Sequence, residues 1–314
     1  MSGGWNTVES DAGVFTYLLE GLGAKGVQFE ELFALDEDDL YRLSPVYGVI
    51  FLFKYLSGDD KAGKNSKQPE DGEYDFEAVE NMFFAAQTIQ NACGTQALLS
   101  VLLNQSDKLA LGPHLTEFKD FTSGLPSDIR GECLSNSELI RTTHNSFARA
   151  SPFVDETQRT ATGDDDVYHF IAYTPVNGTL YELDGLAPAP ISHGPCTLET
   201  FPSAVLPVLQ RRIARYPTTE IRFNLIAMVQ DPRINARAIG DMDTLQAEAR
   251  KRDAWRWENA LRRHNFVGFV GELAKEVTRA KLTAGESEYE SWIEGAKART
   301  KSQRETNRKR GIEE

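Results

Sequence analysis

The chain has no run of apolar residues approaching the ~18 that a membrane-crossing helix needs, and its first residues lack the basic and apolar regions of a secretion signal. A soluble intracellular protein is the expectation. Cysteine is scarce: three among 314 residues, an odd number, at Cys93, Cys133 and Cys196, with no Cys-x-x-Cys pair. Neither a disulfide framework nor a zinc site is indicated, and no cofactor is expected. Positive charge is in deficit, with 34 Lys and Arg against 47 Asp and Glu and a net charge of −13. That balance argues against nucleic acid as a partner and favours a basic protein surface. What is present, 40% hydrophobic residues, suffices for one large core and a smaller appendage.

Residues 87–104 are the stretch around which the rest can be read, a polar run of Gln, Asn and Thr that becomes an apolar helix. Ala97, Leu98, Val101 and Leu102 recur at helical spacing, Asn91 suits an N-cap and Asn104 suits the C-terminus, so Cys93 falls in the first turn. A helix N-terminus favours negative charge, and the thiolate is the nucleophilic form of cysteine, more so beside a histidine. Gln87, six residues upstream, can turn its side-chain NH2 toward the same carbonyl oxygen as the backbone N–H of Cys93. A cysteine on an apolar helix is otherwise an inert core residue. Its place at the mouth of the helix, among polar side chains, favours the reactive reading.

Residues 167–186 carry the best hairpin signal, two β-rich runs around Asn177-Gly178 that fit a two-residue type I′ turn. If Val176 pairs with Thr179, Asp184 falls opposite Ile171 and becomes the diagonal neighbour of His169 on one face. A one-residue slip would separate them. The other histidines compete weakly: His144 follows two threonines on a helix, His114 and His193 adjoin turn residues, and His264 lies in a helical tail. Cys93, His169 and Asp184 supply nucleophile, general base and orienting carboxylate, and Gln87 supplies oxyanion stabilisation. That combination implies acyl transfer.

Elsewhere, Ser10-Asp11 caps a helix bearing Val14, Phe15, Leu18 and Leu19, residues 27–33 read as a strand, and residues 47–56 are too continuously apolar for an edge strand. Residues 57–74 read as a solvated loop. Ser135, with Glu138 at the capping-box position, starts a helix reaching 148. Residues 149–166 show no periodicity and are expected to form a mobile loop beside the functional surface. A helix over 197–215, disturbed by Pro207, and a strand over 220–229 complete the core. Asp231-Pro232 is the expected boundary between a catalytic domain, 1–231, and a helical extension, 232–314. In that extension Phe266, Val270, Leu273 and Val277 form an apolar stripe, and residues 297–310 are a basic tail expected to be disordered, a weak nuclear-targeting candidate.

Gln87, Asn91-Ala-Cys93-Gly-Thr, Tyr168-His169-Phe-Ile-Ala-Tyr and Leu180-Tyr-Glu-Leu-Asp184-Gly-Leu resemble, in order, spacing and flanking residues, the ubiquitin C-terminal hydrolase family of cysteine deubiquitinases. The resemblance covers about residues 5–231. Arg262-Arg-His-Asn-Phe266 before an apolar helix, and Asn145-Ser-Phe-Ala-Arg149, are similar to its long, proteasome-associated branch. The resemblance implies an α/β (α+β), papain-like fold with a central antiparallel sheet flanked by helices, a knotted backbone and an all-helical C-terminal extension. It implies Cys93 as nucleophile, His169 as base and acid, Asp184 as its orienter, Gln87 with the Cys93 amide as oxyanion hole, and 149–166 as a crossover loop. It also implies ubiquitin and its conjugates as partners, a proteasomal ubiquitin receptor bound through 232–314, and residence in cytoplasm and nucleus. Glu9 and Asp11 are the substrate-binding candidates for ubiquitin's basic tail. A scaffold with an idle catalytic site, a papain-like peptidase and an arylamine acyltransferase remain open as alternatives.

Overall fold

The computed structural model describes residues 4–54, 68–147, 168–217, 220 and 222–309. The expected crossover loop at 149–166 and most of the expected loop at 57–74 lie outside the described residues.

Seven described strands form one antiparallel sheet: β1 (Val27–Glu31), β2 (Val46–Lys54), β3 (Glu73–Tyr74), β4 (Tyr168–Val176), β5 (Thr179–Leu183), β6 (Ile191–Pro195) and β7 (Asn224–Gln230). Their spatial order is β1-β7-β2-β4-β5-β6-β3. The apolar run in β2 is explained by its central place, because both faces of the strand are covered. Tyr47 and Ile50 enter one core, while Val49, Phe51 and Phe53 enter the other. Helices α1 (Ala12–Gly21) and α3 (Cys93–Asn104) cover the first face. On the second lie α2 (Glu37–Arg42), through Leu40, and α7 (Phe201–Ile213). Helix α3 is buried from Cys93 to Leu103, and it approaches β2 so closely that a Cβ on Gly48 would lie 2.7 Å from a Val101 methyl.

Two helix starts differ from expectation. Asn91 does not cap α3: the helix grows from a 3-10 turn, Gln90–Ala92, and the Asn91 amide donates to Trp5 O at 2.9 Å. Among the described residues no side chain caps α3. Ser135 does not start a helix either. After α4 (Pro113–Thr122) come two short helices, α5 (Ser127–Asn136) and α6 (Glu138–Asn145), and the cap of α6 is Ser137, which accepts from Ile140 N at 3.4 Å. Ser135 lies inside α5 and donates back to Gly131 O at 2.8 Å, an alternative use of a serine hydroxyl.

The first compact unit reaches Arg263 and the second takes in the chain from His264 onward, beyond the expected boundary at 231. Helices α8 (Pro232–Ile239) and α9 (Met242–Arg263) belong to the first unit. A Cβ on Gly13 would lie 2.6 Å from Trp255 of α9, and Arg252 pairs with Glu20 and donates to Gln28 Oε1 at 2.9 Å. Lys251 bridges Glu30 and Glu248 at 2.5 and 2.7 Å. In the second unit α10 (Val267–Ala284) and α11 (Glu286–Lys309) form a helical hairpin around Gly285, with Lys281 and Glu288 paired at 2.8 Å. Helix α11 runs through most of the tail expected to be disordered. That stretch contains neither proline nor glycine after Gly295 and is rich in Lys, Arg, Glu and Gln, all good helix formers. Phe266, Phe269, Val270 and Leu273 are exposed.

Candidate active site

Three elements meet at Cys93. The thiol is on the first residue of α3, with its side chain in the apolar core except at the surface of the helix mouth, and Cys93 is 8% exposed. His169 lies near the start of β4, and Asp184 follows the last residue of β5. The turn joining those strands has the predicted form, with φ of +49° at Asn177 and +85° at Gly178, and Val176 pairs with Thr179 and Ala172 with Leu183. The pairing brings the imidazole to the carboxylate. His169 Nε2 donates to Asp184 Oδ1 at 2.7 Å, and the same oxygen accepts from Leu186 N at 2.9 Å.

The Cys93 side chain lies close enough to act on the same ring, and the second ring nitrogen is the one left to face it. Burial alone would pull the imidazole's pKa down. The charge and hydrogen bond of Asp184, followed by those of Cys93, outweigh burial and push it up to about 10. Burial opposes the ionised form of Asp184, but the charge and hydrogen bond of His169, the Leu186 N–H and the charge of Arg212 hold its pKa below the usual carboxylate value. Imidazolium and carboxylate stabilise each other in a site nearly closed to water. Elsewhere, Cys133 is half-buried; Cys196 is buried, which pushes its thiol pKa up and makes it the less reactive kind of cysteine.

Gln87 is half-buried beside this cluster. Its backbone N–H donates to Gly185 O at 2.8 Å, directly after Asp184, so the oxyanion candidate and the acid are joined through the main chain. Its neighbour Ala86 donates to Ser127 O at 2.8 Å, and α5 comes so close that a Cβ on Gly131 would lie 1.9 Å from Ala86 O. Glu9 and Asp11 are held by α9 instead: Arg262 Nε meets Glu9 at 3.1 Å and its Nη2 meets Asp11 at 2.8 Å. Asp11 also caps α1, accepting from Val14 N at 2.9 Å.

The sequence reading missed a second layer behind the histidine. Phe53 stands edge-on to the His169 ring at 5.7 Å, and the Arg212 guanidinium lies 4.7 Å over the Phe53 ring. Glu182 faces Arg212 at 3.8 Å and accepts from Tyr173 Oη at 3.1 Å, with His193 Nε2 at 3.2 Å. Glu182 is two residues before Asp184 and so on the same strand face, a signal in the sequence; Arg212 arrives from α7, which no local pattern foretells.

An antiparallel sheet that presents a bonded histidine and carboxylate to a thiol at a helix mouth defines a thiol hydrolase, the class in which a cysteine attacks an acyl carbon. Comparison with known proteins narrows this. Residues 5–214 match the profile described as "Ubiquitin carboxyl-terminal hydrolase, family 1", and residues 242–282 match a second, described as "Ubiquitin carboxyl-terminal hydrolases". The chain is 49% identical over 306 residues to ubiquitin carboxyl-terminal hydrolase 2 of Schizosaccharomyces pombe, covering 96% of this chain and 99% of that one. It is 38% identical over 321 residues to ubiquitin carboxyl-terminal hydrolase ubh-4 of Caenorhabditis elegans, covering 95% and 96%. Among solved structures, the Trichinella spiralis UCH37 catalytic domain bound to ubiquitin vinyl methyl ester superimposes with a TM-score of 0.61 at 39% identity, over 72% of this chain and 95% of that one. The chain belongs to the ubiquitin carboxyl-terminal hydrolase family 1 and is a thiol-dependent hydrolase.

Proposed function

We propose that the protein cleaves the bond after the C-terminal glycine of ubiquitin, with Cys93 as nucleophile, His169 as acid and base, Asp184 as its orienter and Gln87 as an oxyanion donor. The cluster of Cys93, His169 and Asp184, with the imidazole hydrogen-bonded to the carboxylate and acted on by the thiol, carries this reading. With the imidazole pKa pushed up to about 10, His169 is protonated at neutral pH and sits beside the Cys93 side chain. The thiolate attacks the glycine carbonyl carbon, and the Gln87 side chain and the Cys93 N–H at the helix start stabilise the oxyanion. The imidazolium proton passes to the departing amine. A water deprotonated by His169 then releases ubiquitin from the thioester and restores the thiol.

A fluorogenic amide of ubiquitin tests these roles. Cys93→Ala should lose about a thousandfold or more in kcat with its melting midpoint preserved, while Cys133→Ala and Cys196→Ala stay near wild type. Activity surviving in Cys93→Ala and lost in either other variant would sink the assignment.

We also propose that α10 recruits the protein to a proteasomal ubiquitin receptor. Its support is the exposed apolar row Phe266, Val270, Leu273 and Val277 on a helix whose other face is polar, together with the sequence resemblance to the proteasome-associated branch. An aromatic anchor contributes ~2 kcal/mol or more, so Phe266→Ala should weaken binding to the receptor's C-terminal domain at least about tenfold in titration calorimetry. No binding by the wild type would remove the proteasome from the proposal. Glu9 and Asp11 remain our candidates for ubiquitin's basic tail, which would then share them with Arg262. A Glu9→Gln, Asp11→Asn variant with unchanged KM would exclude them. Residence in cytoplasm and nucleus is proposed from the sequence resemblance and from the basic residues 297–310. Fluorescence of tagged protein confined to one compartment would contradict it.

A further inference from the structure

Gln96 has a place that its sequence context does not reveal. It follows Cys93 by three residues, which puts both side chains on one face of α3. Its amide is buried, 5% exposed, and its Nε2 donates to Ala85 O at 2.6 Å. That carbonyl belongs to the segment leading into Gln87, two residues further on. The amide also lies close against Gly185. A Cβ built on Gly185 would fall 2.1 Å from Gln96 Nε2, 3.0 Å from Gln96 Cδ and 3.0 Å from Gln87 Cβ. The backbone of Gly185 is outside the left-handed region, so what requires glycine there is space and not conformation.

We infer that Gln96 is a positioning residue that fixes the nucleophile, the oxyanion donor and the acid against one another. It rides on the helix that carries Cys93, holds residue 85 by hydrogen bond, and packs against the glycine between Asp184 and Leu186. Gly185 O in turn accepts from Gln87 N at 2.8 Å, and Leu186 N donates to Asp184 Oδ1 at 2.9 Å. Two neighbouring segments and a third distant in sequence thus share one side chain as their common support. In acyl transfer the donors must meet an oxygen that moves as the carbonyl carbon becomes tetrahedral, and misplacement by about an ångström costs about a hundredfold in rate. Gln96 touches neither substrate nor reacting atoms, and acts through Gln87 and Asp184. The inference rests on the roles proposed above for those residues.

Gln96→Met keeps the side-chain length and removes the donated N–H. With the fluorogenic ubiquitin amide, kcat should fall about tenfold while KM stays within about twofold, because ubiquitin's binding surface is untouched. The rate of Cys93 alkylation by iodoacetamide, followed by peptide mass spectrometry, should stay near wild type, since it needs the thiolate but no oxyanion hole. Unchanged kcat would overturn the inference. So would a loss shared equally by kcat, alkylation rate and melting midpoint, which is what mere loosening of the core produces. Should Gln96→Met fail to fold, Gly185→Ala decides. Its methyl group has no room beside Gln96, so kcat should fall in the wild-type background and fall much less in a Gln96→Ala background. Equal losses in both backgrounds would overturn it. Hydrolysis retained by Cys93→Ala would instead remove the site assignment, a distinct result.

Discussion

A histidine between a carboxylate and a thiol keeps its charge only while both partners hold it, and this sets the pH behaviour of the native state. The His169 pKa, pushed from 6.5 up to about 10, means that its contribution to stability is complete below pH 6.5 and is lost as pH rises toward 10. Asp184 has the opposite sign: its pKa is held below 3.8, so its contribution is present above that value and lost as pH falls through its folded pKa. The pair therefore stabilises most between about pH 4 and 6.5, bounded by the two unperturbed values. Urea midpoints of the wild type should decline from pH 6.5 to 9.5, and Asp184→Asn should flatten that decline. Equal declines in both proteins would show that the pair contributes no pH-dependent stability.

Among the elements, α9 departs most from its sequence. Its composition is that of a solvated helix and suggests the end of a domain at 231, yet Glu248, Arg252 and Asn259 are buried in the first unit. Arg252 is surrounded by Glu20, Gln28 and Asp231, so truncating it strands buried acceptors. Arg252→Ala should lower stability by about 3 kcal/mol, whereas Arg256→Ala, on the exposed face of the same helix, should be near neutral. Urea denaturation compares them, and equal effects would mean that α9 is not clamped. The same distinction explains what was legible beforehand. Cys93, His169 and Asp184 follow from local signals: a thiol at a helix mouth, an Asn-Gly turn and the two-residue period of a strand. Gln96, Arg212 and the burial of α9 depend on which elements meet, and no pattern within a single element carries that information. The helix starts at Asn91 and Ser135 were misplaced because several polar residues could cap and tertiary partners chose among them.

At the scale of the molecule, the sheet interleaves the two halves of the first unit. Strands β1, β2 and β3 all precede residue 147, and every described strand partner of theirs lies at residue 168 or beyond: β1 pairs with β7, β2 with β7 and β4, and β3 with β6. The cysteine comes from one half, and the histidine and acid from the other. A fragment of residues 1–147 should therefore show no β-sheet signal in circular dichroism by itself, and mixing it with 168–314 during refolding should restore hydrolysis of a ubiquitin amide. Sheet formation by 1–147 alone would contradict this account of the pairing. The strand order also bears on synthesis. On the ribosome β1 must wait for β7, roughly 10 to 40 s at ordinary elongation rates, before it finds its only described neighbour. Until β4 has also emerged to pair with β2, the apolar helix bearing the nucleophile has no sheet to cover it, so the nascent chain must be shielded from aggregation long before it is an enzyme.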